Sequence, residues 1–385
     1  MRMTRPAAKG WCPTTYRPMM SGDGLLVRVK PAYGLLDAQA LTCLADLSDQ
    51  FGNGVLDLTS RANLQIRGVS EQAYPALLSL LQTAGLAGAN LKADQLNLTL
   101  APFTGKNSLG WRCADYLYNA ADDLPELPAK FGFSIDCGEK RYLTKASADL
   151  FIEAASGGRV LLRCAGSTDG LVTDEDNLLT SVRTILDWYL SLQAGVPDIP
   201  PLRMRKLLEA HEPPHGATGH LPYAPDHQLV VGPAAGTHII AAPYGQLTTG
   251  DLRQLATANS FVQITIGRMM IVETLPGPDS HLITTPKDKR LSVAVCPGAP
   301  HCPSASVQTR NLADSLVHAG AWSGAKTLHI SGCAKGCAAP EARDICIVGR
   351  DGRFDIVEKG CAWQAPSSKG ILTTAILERI SELGS

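Results

Sequence analysis

Two stretches share one pattern: PAYGLLDAQALTCLADLSDQFGNGVLDLTSRANLQIRGV at residues 31–69, and APYGQLTTGDLRQLATANSFVQITIGRMMIVETL at residues 242–275. In each, a Tyr-Gly pair precedes a Leu-rich segment with helical periodicity, and a segment of alternating apolar and polar residues follows. The shared order predicts a duplicated α+β module whose two copies form a pseudo-twofold core.

A longer α/β stretch follows each copy. We interpret residues 20–88 as a first half-module and residues 89–200 as a first lobe. A Pro-rich linker at residues 201–225 leads to a second half-module at residues 226–288 and a second lobe at residues 289–385. Within the second lobe, ARDICIVGRDGRFDIVEKG predicts a hairpin turning at Asp-Gly, and residues 369–383 predict a closing helix.

Bulk composition excludes several classes of function. The chain has 385 residues, with 35 Lys and Arg against 36 Asp and Glu, so its net charge gives no general attraction for nucleic acid or a membrane surface. No apolar run reaches the roughly 20 residues of a membrane span, and the start of the chain lacks the apolar core of a signal peptide. We therefore expect a cytoplasmic protein without nucleic-acid or membrane partners.

Four of the 11 cysteines lie in two Gly-rich and Pro-rich segments, VCPGAPHCPS at residues 295–304 and HISGCAKGCAAP at residues 329–340. A structural zinc site usually pairs cysteines two to four residues apart, and a redox disulfide favours Cys-x-x-Cys, so both fit poorly. Four unrelated buried cysteines remain the alternative. The spacing favours a [4Fe–4S] cluster held by Cys296, Cys302, Cys333 and Cys337, because small residues let thiolate loops approach a cube closely.

The Cys-x5-Cys pair followed by SGCAKGCA resembles the cluster motif of the sulfite and nitrite reductase superfamily. TSRANLQIRG, which carries Arg61 and Gln65, resembles a strand of that superfamily, and LPAKFGFSID, with Lys130, resembles another of its elements. The resemblance implies a duplicated fold with ferredoxin-like half-modules and two larger α/β lobes. It also implies that Cys337 can bridge the cluster to a sirohaem iron.

Two departures from the reductase pattern concern the cations that surround a small anionic substrate. Gly132 stands where a second lysine is expected, and Leu96 stands where an arginine is expected. GWCPTTYRPMMSGDGLLVRVKP near the start, LPAKFGFSIDCG and HISGCAKGCAAP instead resemble a branch of the superfamily that acts on precorrins, which are reduced tetrapyrroles rich in carboxylates.

That resemblance implies oxygen-dependent hydroxylation of precorrin-3A at C20, with closure of a γ-lactone, in aerobic cobalamin biosynthesis. The implied partners are precorrin-3A, O2 and an external electron donor, either an NADH-linked or a ferredoxin-type reductase. The implied cofactors are the [4Fe–4S] cluster and a mononuclear non-haem iron, for which the histidines show no convincing ligand spacing.

Carboxylate-rich substrates need bidentate cationic donors. The candidate substrate-binding residues are Arg28, Arg61, Gln65, Arg67, Lys130 and Arg268, and no catalytic residue is assigned. Two alternatives remain: a compact sirohaem-dependent sulfite or nitrite reductase, and an iron–sulfur electron-transfer subunit without a catalytic pocket.

Overall fold

The structure is a computed structural model that describes residue 6 and residues 13–88, 90–193, 201–214 and 219–384. Cys12, in the N-terminal GWCP stretch, and His215, one of the histidines considered as iron ligands, lie outside the described residues. In the described part, the strands form four five-stranded sheets, with helices packed on them. No helix in this part of the chain is both long and apolar enough to cross a membrane.

The first half-module is an antiparallel sheet whose strands share a core with helices. Its elements are β1 (Met19–Ser21), β2 (Gly24–Val29), β3 (Leu35–Asp37), α1 (Ala38–Phe51), β4 (Val55–Leu58), β5 (Leu64–Val69), α2 (Tyr74–Thr83) and α3 (Leu91–Gln95). Helix α1 begins where the Asp37 carboxylate accepts the backbone N–H of Ala40. It buries Leu41, Leu44 and Leu47, which follow the spacing of one helix face.

The second half-module repeats this arrangement. Its elements are β11 (Gly232–Ala234), β12 (Thr237–Ala241), β13 (Gln246–Thr248), α7 (Thr249–Ala258), β14 (Phe261–Thr265) and β15 (Met269–Val272). A reciprocal capping box between Thr248 and Asp251 starts α7. The two half-modules share one hydrophobic core, in which Leu44 and Leu56 of the first lie with Leu247 and Leu255 of the second.

The half-modules exchange edge strands. The first sheet has the order β1-β2-β5-β4-β13, and the second has the order β11-β12-β15-β14-β3, so each contains one strand from the other half. Each exchanged strand directly follows a Tyr-Gly turn with positive φ at both residues, 58° and 71° at Tyr33-Gly34 and 55° and 77° at Tyr244-Gly245. The predicted duplication is confirmed, and the strand exchange adds an interlock that the pattern did not predict.

The first lobe is a mixed sheet in the order β10-β9-β8-β7-β6. Its elements are β6 (Asn97–Leu100), α4 (Leu109–Asn119), β7 (Gly132–Asp136), β8 (Leu150–Ala154), β9 (Val160–Cys164), β10 (Leu171–Thr173), α5 (Leu178–Ser191) and α6 (Met204–Leu207). Helix α6 belongs to the segment interpreted as a linker, yet Met204 and Leu207 are buried in the core of this lobe. The buried Asp149 holds it there by accepting from Arg203 Nε at 2.8 Å and Met204 N at 2.9 Å.

The second lobe repeats the topology of the first. Its elements are β16 (Val293–Val295), α8 (Arg310–His318), β17 (Leu328–Ser331), β18 (Arg343–Arg350), β19 (Arg353–Gly360), β20 (Ser368–Ile371) and α9 (Thr373–Gly384). In both lobes, taken in chain order, the first two pairs of neighbouring strands are parallel and the last two pairs are antiparallel. The duplication therefore extends through the lobes.

Two local predictions for the second lobe have different outcomes. The hairpin of β18 and β19 is confirmed, and its turn at Asp351-Gly352 has positive φ at both residues. The predicted start of the last helix is wrong, because residues 368–371 pair with β19 as strand β20 before α9 begins at Thr373.

The Tyr33-Gly34 turn, which precedes the exchanged strand β3, gives a test of the strand exchange between the half-modules. A Cβ at Gly34 would lie 2.6 Å from the carbonyl oxygen of Ile264, whereas a Cβ at Gly236, which has a similar φ, meets nothing within 4 Å. We expect Gly236→Ala to lower the free energy of unfolding by about 1–2 kcal/mol for its left-handed backbone. Gly34→Ala should lose a further ~1–3 kcal/mol from the clash.

Chemical denaturation followed by circular dichroism measures both losses. Equal losses in Gly34→Ala and Gly236→Ala would mean that the contact of Gly34 with Ile264 of the second half-module does not constrain the turn.

Candidate functional site

Two of the four motif cysteines lie at the carboxyl ends of neighbouring parallel strands. Cys296 directly follows β16, and Cys333 lies two residues beyond the end of β17. The two strands pair in register, with Val295 opposite Ile330. Loops that leave the carboxyl ends of adjacent parallel strands meet at one edge of the sheet, which is where α/β proteins commonly bind ligands. The topology thus brings the two distant cysteine pairs to one edge.

Close backbone packing explains the glycines between the cysteines. A Cβ on Gly298, where φ is +69°, would lie 2.3 Å from Thr309 Oγ1, and a Cβ on Gly332 would lie 2.5 Å from the Cβ of Ala305. Only glycine allows the two loops this separation.

The four thiols differ in exposure. Cys296 is buried, Cys302 and Cys333 are half-buried, and Cys337 is exposed. Burial raises the pKa of the Cys296 thiol, and backbone N–H groups of Gly332 and Gly298 oppose that rise. The Gly332 N–H donates to Cys296 Sγ at 3.1 Å. Peptide donors directed at a cysteine sulfur stabilise its thiolate form, which is the form that ligates metals.

Four thiols at one sheet edge are the donor set that a [4Fe–4S] cluster would use. A peptide N–H already donates to the Cys296 sulfur, and hydrogen bonds to sulfur are typical of such clusters. Among the described residues, no three His, Cys, Asp or Glu side chains converge closely enough to hold one metal ion. The same finding gives no ligand set for a mononuclear iron in the described part of the chain.

A cationic cavity of about 30 Å³ lies beside the first half-module. Four basic side chains line it, Arg28, Lys30, Arg61 and Lys130, together with polar groups of Asn63, Asn97, Thr99 and Ser147. Three of the four basic residues are sequence candidates, and Lys30 is not. The alternation of the strand LLVRVK already places Arg28 and Lys30 on one face, which is the signal that could have found it.

Local turns hold two of these cations at the cavity. The hydroxyl of Thr59 accepts the backbone N–H groups of Arg61, at 3.3 Å, and Asn63, at 3.2 Å, and so shapes the turn between β4 and β5. Lys130 lies in a turn before β7, where Asn97 Nδ2 donates to the carbonyls of Ala129 and Phe131 at 3.1 and 2.7 Å. Asn97 also accepts from Lys30 Nζ at 2.9 Å.

A second cavity of about 250 Å³ adjoins the first, and both are lined by Lys30, Asn63, Leu98 and Thr99. Much of its wall is apolar or aromatic, with Leu96, Leu100, Tyr33, Tyr118 and Ile264 among the lining residues. The ring of Tyr33 stacks on Trp111 with centroids 4.2 Å apart, and its hydroxyl donates to Asp115. The two cavities thus offer a charged end and an apolar end.

Three other sequence candidates do not line either cavity: Gln65, Arg67 and Arg268. Gln65 is half-buried on β5, where it pairs with Arg28 and Asp57 in the strand register. Arg268 follows Gly267 in the turn between β14 and β15, and its own φ is +65°. Burial and the charge of Arg310 lower the pKa of Arg268, while the charges of Asp57 and Cys296 oppose this.

Arg67 is buried between two aspartates. Its Nη1 lies 2.9 Å from Asp57, and its Nη2 lies 2.9 Å from Asp23 and donates to the carbonyl of His301 at 2.9 Å. Asp57 also pairs with Arg310 at 2.5 Å. Although burial alone would raise the pKa of Asp23, Arg67 and His301 hold that pKa below its usual value. The network joins the first half-module to the loop between Cys296 and Cys302.

Comparisons with known proteins agree with this geometry. Residues 17–84 match the family model described as the nitrite/sulfite reductase ferredoxin-like half domain. A precorrin-3B synthase from a Sinorhizobium species is 28% identical over 399 residues, covering 94% of this chain and 85% of that protein. Residues 17–84 thus match the ferredoxin-like half domain of nitrite and sulfite reductases, and nearly the whole chain is similar to that synthase.

A second relative and a solved structure are similar to this chain over nearly the same length. A ferredoxin–nitrite reductase of Synechococcus elongatus is 24% identical over 419 residues, covering 90% of this chain and 80% of the reductase. The solved structure of the NirA protein of Mycobacterium tuberculosis superposes with a TM-score of 0.61 over 93% of this chain and 79% of that chain, at 18% identity. The predicted fold class is confirmed.

The Arg67 network gives a prediction about stability. Replacing Arg67 with Met takes their shared partner from the buried Asp57 and the half-buried Asp23, so we expect a loss of about 3–5 kcal/mol in the free energy of unfolding. Arg253→Met is the matched control, because Arg253 is exposed and pairs with Asp46 and Asp49 at the surface. That variant should lose less than about 1 kcal/mol.

Denaturant titration of the purified variants measures both losses. An Arg67→Met protein as stable as the Arg253→Met control, with only ligand binding impaired, would instead assign Arg67 to the substrate.

Proposed function

We propose that the protein is an oxidoreductase that carries out the precorrin-3B synthase reaction, the oxygen-dependent hydroxylation of precorrin-3A at C20 with closure of a γ-lactone. The observation that carries this proposal is the similarity to a precorrin-3B synthase across 94% of this chain and 85% of that protein. O2, precorrin-3A and an external electron donor are its partners in this proposal.

The cationic cavity supports a carboxylate-rich substrate. Arg28, Lys30, Arg61 and Lys130 bring four basic groups to one small volume. Guanidinium groups bind carboxylates through paired, charge-assisted hydrogen bonds, and a lysine adds a point charge. In the proposal these residues bind and orient the acetate and propionate arms of the macrocycle.

Cavity size limits how much of the substrate is enclosed. Cavities of about 30 and 250 Å³ fall below the 300–1,000 Å³ typical of small-molecule pockets. We therefore propose that only one carboxylate-bearing edge of the macrocycle enters them. The apolar wall formed by Leu96, Leu98 and Ile264 then excludes water from the ring edge.

Cys296, Cys302, Cys333 and Cys337 are the proposed ligands of a [4Fe–4S] cluster. Such a cluster, when bound, supplies one-electron transfer from the external donor. The residues around it keep the Cys296 sulfur dry and hydrogen-bonded through Gly332. No ligands are proposed for a mononuclear iron, because the described residues offer no convergent set.

A sirohaem-dependent nitrite or sulfite reductase is the second candidate. The similarity to a ferredoxin–nitrite reductase over 90% of the chain favours it. Two residues count against it, because Leu96 is a buried apolar residue and Gly132 has no side chain where the reductase pattern expects cations. Reduction of a small anion needs such charges close to it. An electron-transfer subunit is the third candidate. The cationic cavity counts against it, because an electron carrier binds no carboxylate-rich substrate.

Absorption spectroscopy and metal analysis of anaerobically purified protein separate the three candidates. The synthase proposal expects four irons and four sulfides per chain from the cluster, no sirohaem bands, and turnover of precorrin-3A only when O2 is admitted. Sirohaem bands together with nitrite or sulfite reduction would replace it with the reductase, and a cluster without any turnover would favour the electron carrier.

Arg61→Ala tests the cationic cavity directly. Loss of one charge-assisted contact of about 1.5–3 kcal/mol should weaken anaerobic binding of precorrin-3A by roughly tenfold to a hundredfold. The iron and sulfide contents should stay at wild-type values. Arg183→Ala, which removes an exposed arginine from α5, is the matched control and should leave binding unchanged.

Binding is followed by the absorbance of the macrocycle. Equal affinity in Arg61→Ala and Arg183→Ala would mean that Arg61 does not contact the substrate.

A further inference from the structure

The start of helix α8 is joined to the cysteine site. Thr309, the residue before α8, donates its hydroxyl to the carbonyl oxygen of Cys296 at 2.5 Å and packs against Gly298. Arg310 is the next residue and the first of the helix. The backbone that carries Arg310 is therefore held against the loop that carries Cys296.

The guanidinium of Arg310 is buried and only partly satisfied. The residue is 9% exposed, and its Nη2 pairs with Asp57. Its Nε and Nη1 have no hydrogen-bond partner among the described residues. Buried guanidinium nitrogens without partners are costly, so a nearby anionic group is expected to compensate them.

Arg268 adds a second positive charge in the same region. A Cβ on Gly245 would lie 2.8 Å from Arg268 Cδ, so the Tyr244-Gly245 turn of the second half-module packs against the stem of this arginine. Tyr244 is buried in one core with Val293 and Val295 of β16, the strand that leads into Cys296. The charges of Arg310 and Cys296 both affect the pKa of Arg268. No carboxylate of a described residue forms an ion pair with Arg268.

The local charges do not cancel. Arg67, Arg310 and Arg268 carry three positive charges, whereas Asp23 and Asp57, the carboxylates paired with this network, carry two negative charges. The arginines of this group therefore exceed the aspartates paired with them by one charge.

We propose that Arg310 and Arg268 form a positive pole beside Cys296 and shift the reduction potential of the cluster held by the four cysteines to more positive values. The physical basis is that reduction adds one negative charge to a group already surrounded by thiolates. Positive charges in a low-dielectric surrounding stabilise the reduced form more than the oxidised form.

This inference rests on the proposed [4Fe–4S] cluster. It assigns the two arginines to the cluster, whereas the cationic cavity with Arg61 and Lys130 serves the substrate. Arg61, between β4 and β5, thus serves the substrate, and Arg268, between β14 and β15 of the other half-module, serves the cluster.

The test is a dye-mediated redox titration of the as-purified full-length protein, with the reduced cluster monitored by electron paramagnetic resonance. Arg310→Gln and Arg268→Gln should each lower the midpoint potential. We expect about a tenfold change in the ratio of reduced to oxidised cluster at a given potential, which is ~59 mV for a one-electron couple. Iron and sulfide contents should be unchanged.

Charge-preserving and remote variants control the titration. Arg310→Lys and Arg268→Lys should stay near the wild-type potential, because they keep the charge. Arg253→Gln, which removes an exposed charge from α7, should also stay there, because solvent screens it. If Arg310→Gln fails to fold because Asp57 loses a partner, Arg268→Gln decides the outcome.

The possible failures are distinguishable. Wild-type protein without iron and sulfide would overturn both the cluster and this inference. A loaded cluster whose potential is unchanged in Arg268→Gln would overturn the inference alone. If that variant instead binds precorrin-3A more weakly, Arg268 belongs to the substrate.

Discussion

The guanidinium of Arg67, buried between Asp23 and Asp57, is the contact on which the arrangement of the site depends. It touches the first half-module through both aspartates and the cysteine loop through the carbonyl of His301. The loop that carries Cys296 and Cys302 is separated from this half-module by more than 200 residues of chain. Because buried charges must be paired, the network permits few alternative positions for that loop.

Features that depend on residues close together in sequence could be predicted from the sequence alone. Alternation predicted the strands of the half-modules, Asp-Gly predicted the hairpin turn, and the duplicated Tyr-Gly pattern predicted two related halves. Lys30 was within reach of the same reasoning, because it lies two residues after Arg28 on one strand.

Contacts between residues that are far apart in sequence could not be predicted from the sequence. Arg28 and Arg67 have similar sequence surroundings, yet Arg28 lines the cationic cavity and Arg67 is enclosed by two aspartates. The difference depends on which carboxylates the fold brings near, and no local pattern encodes that. The exchanged strands β3 and β13 have three residues each, too few for alternation to indicate a partner sheet.

The exchange of β3 and β13 has a consequence for the history of the chain. Two identical copies that trade an edge strand are a domain-swapped dimer, and a linker between them makes that dimer a single polypeptide. In this chain the shared core holds the two copies together, so their loops can differ without separating the halves. The cysteines lie in the second lobe, whereas the basic cavity lies where the first half-module meets the first lobe.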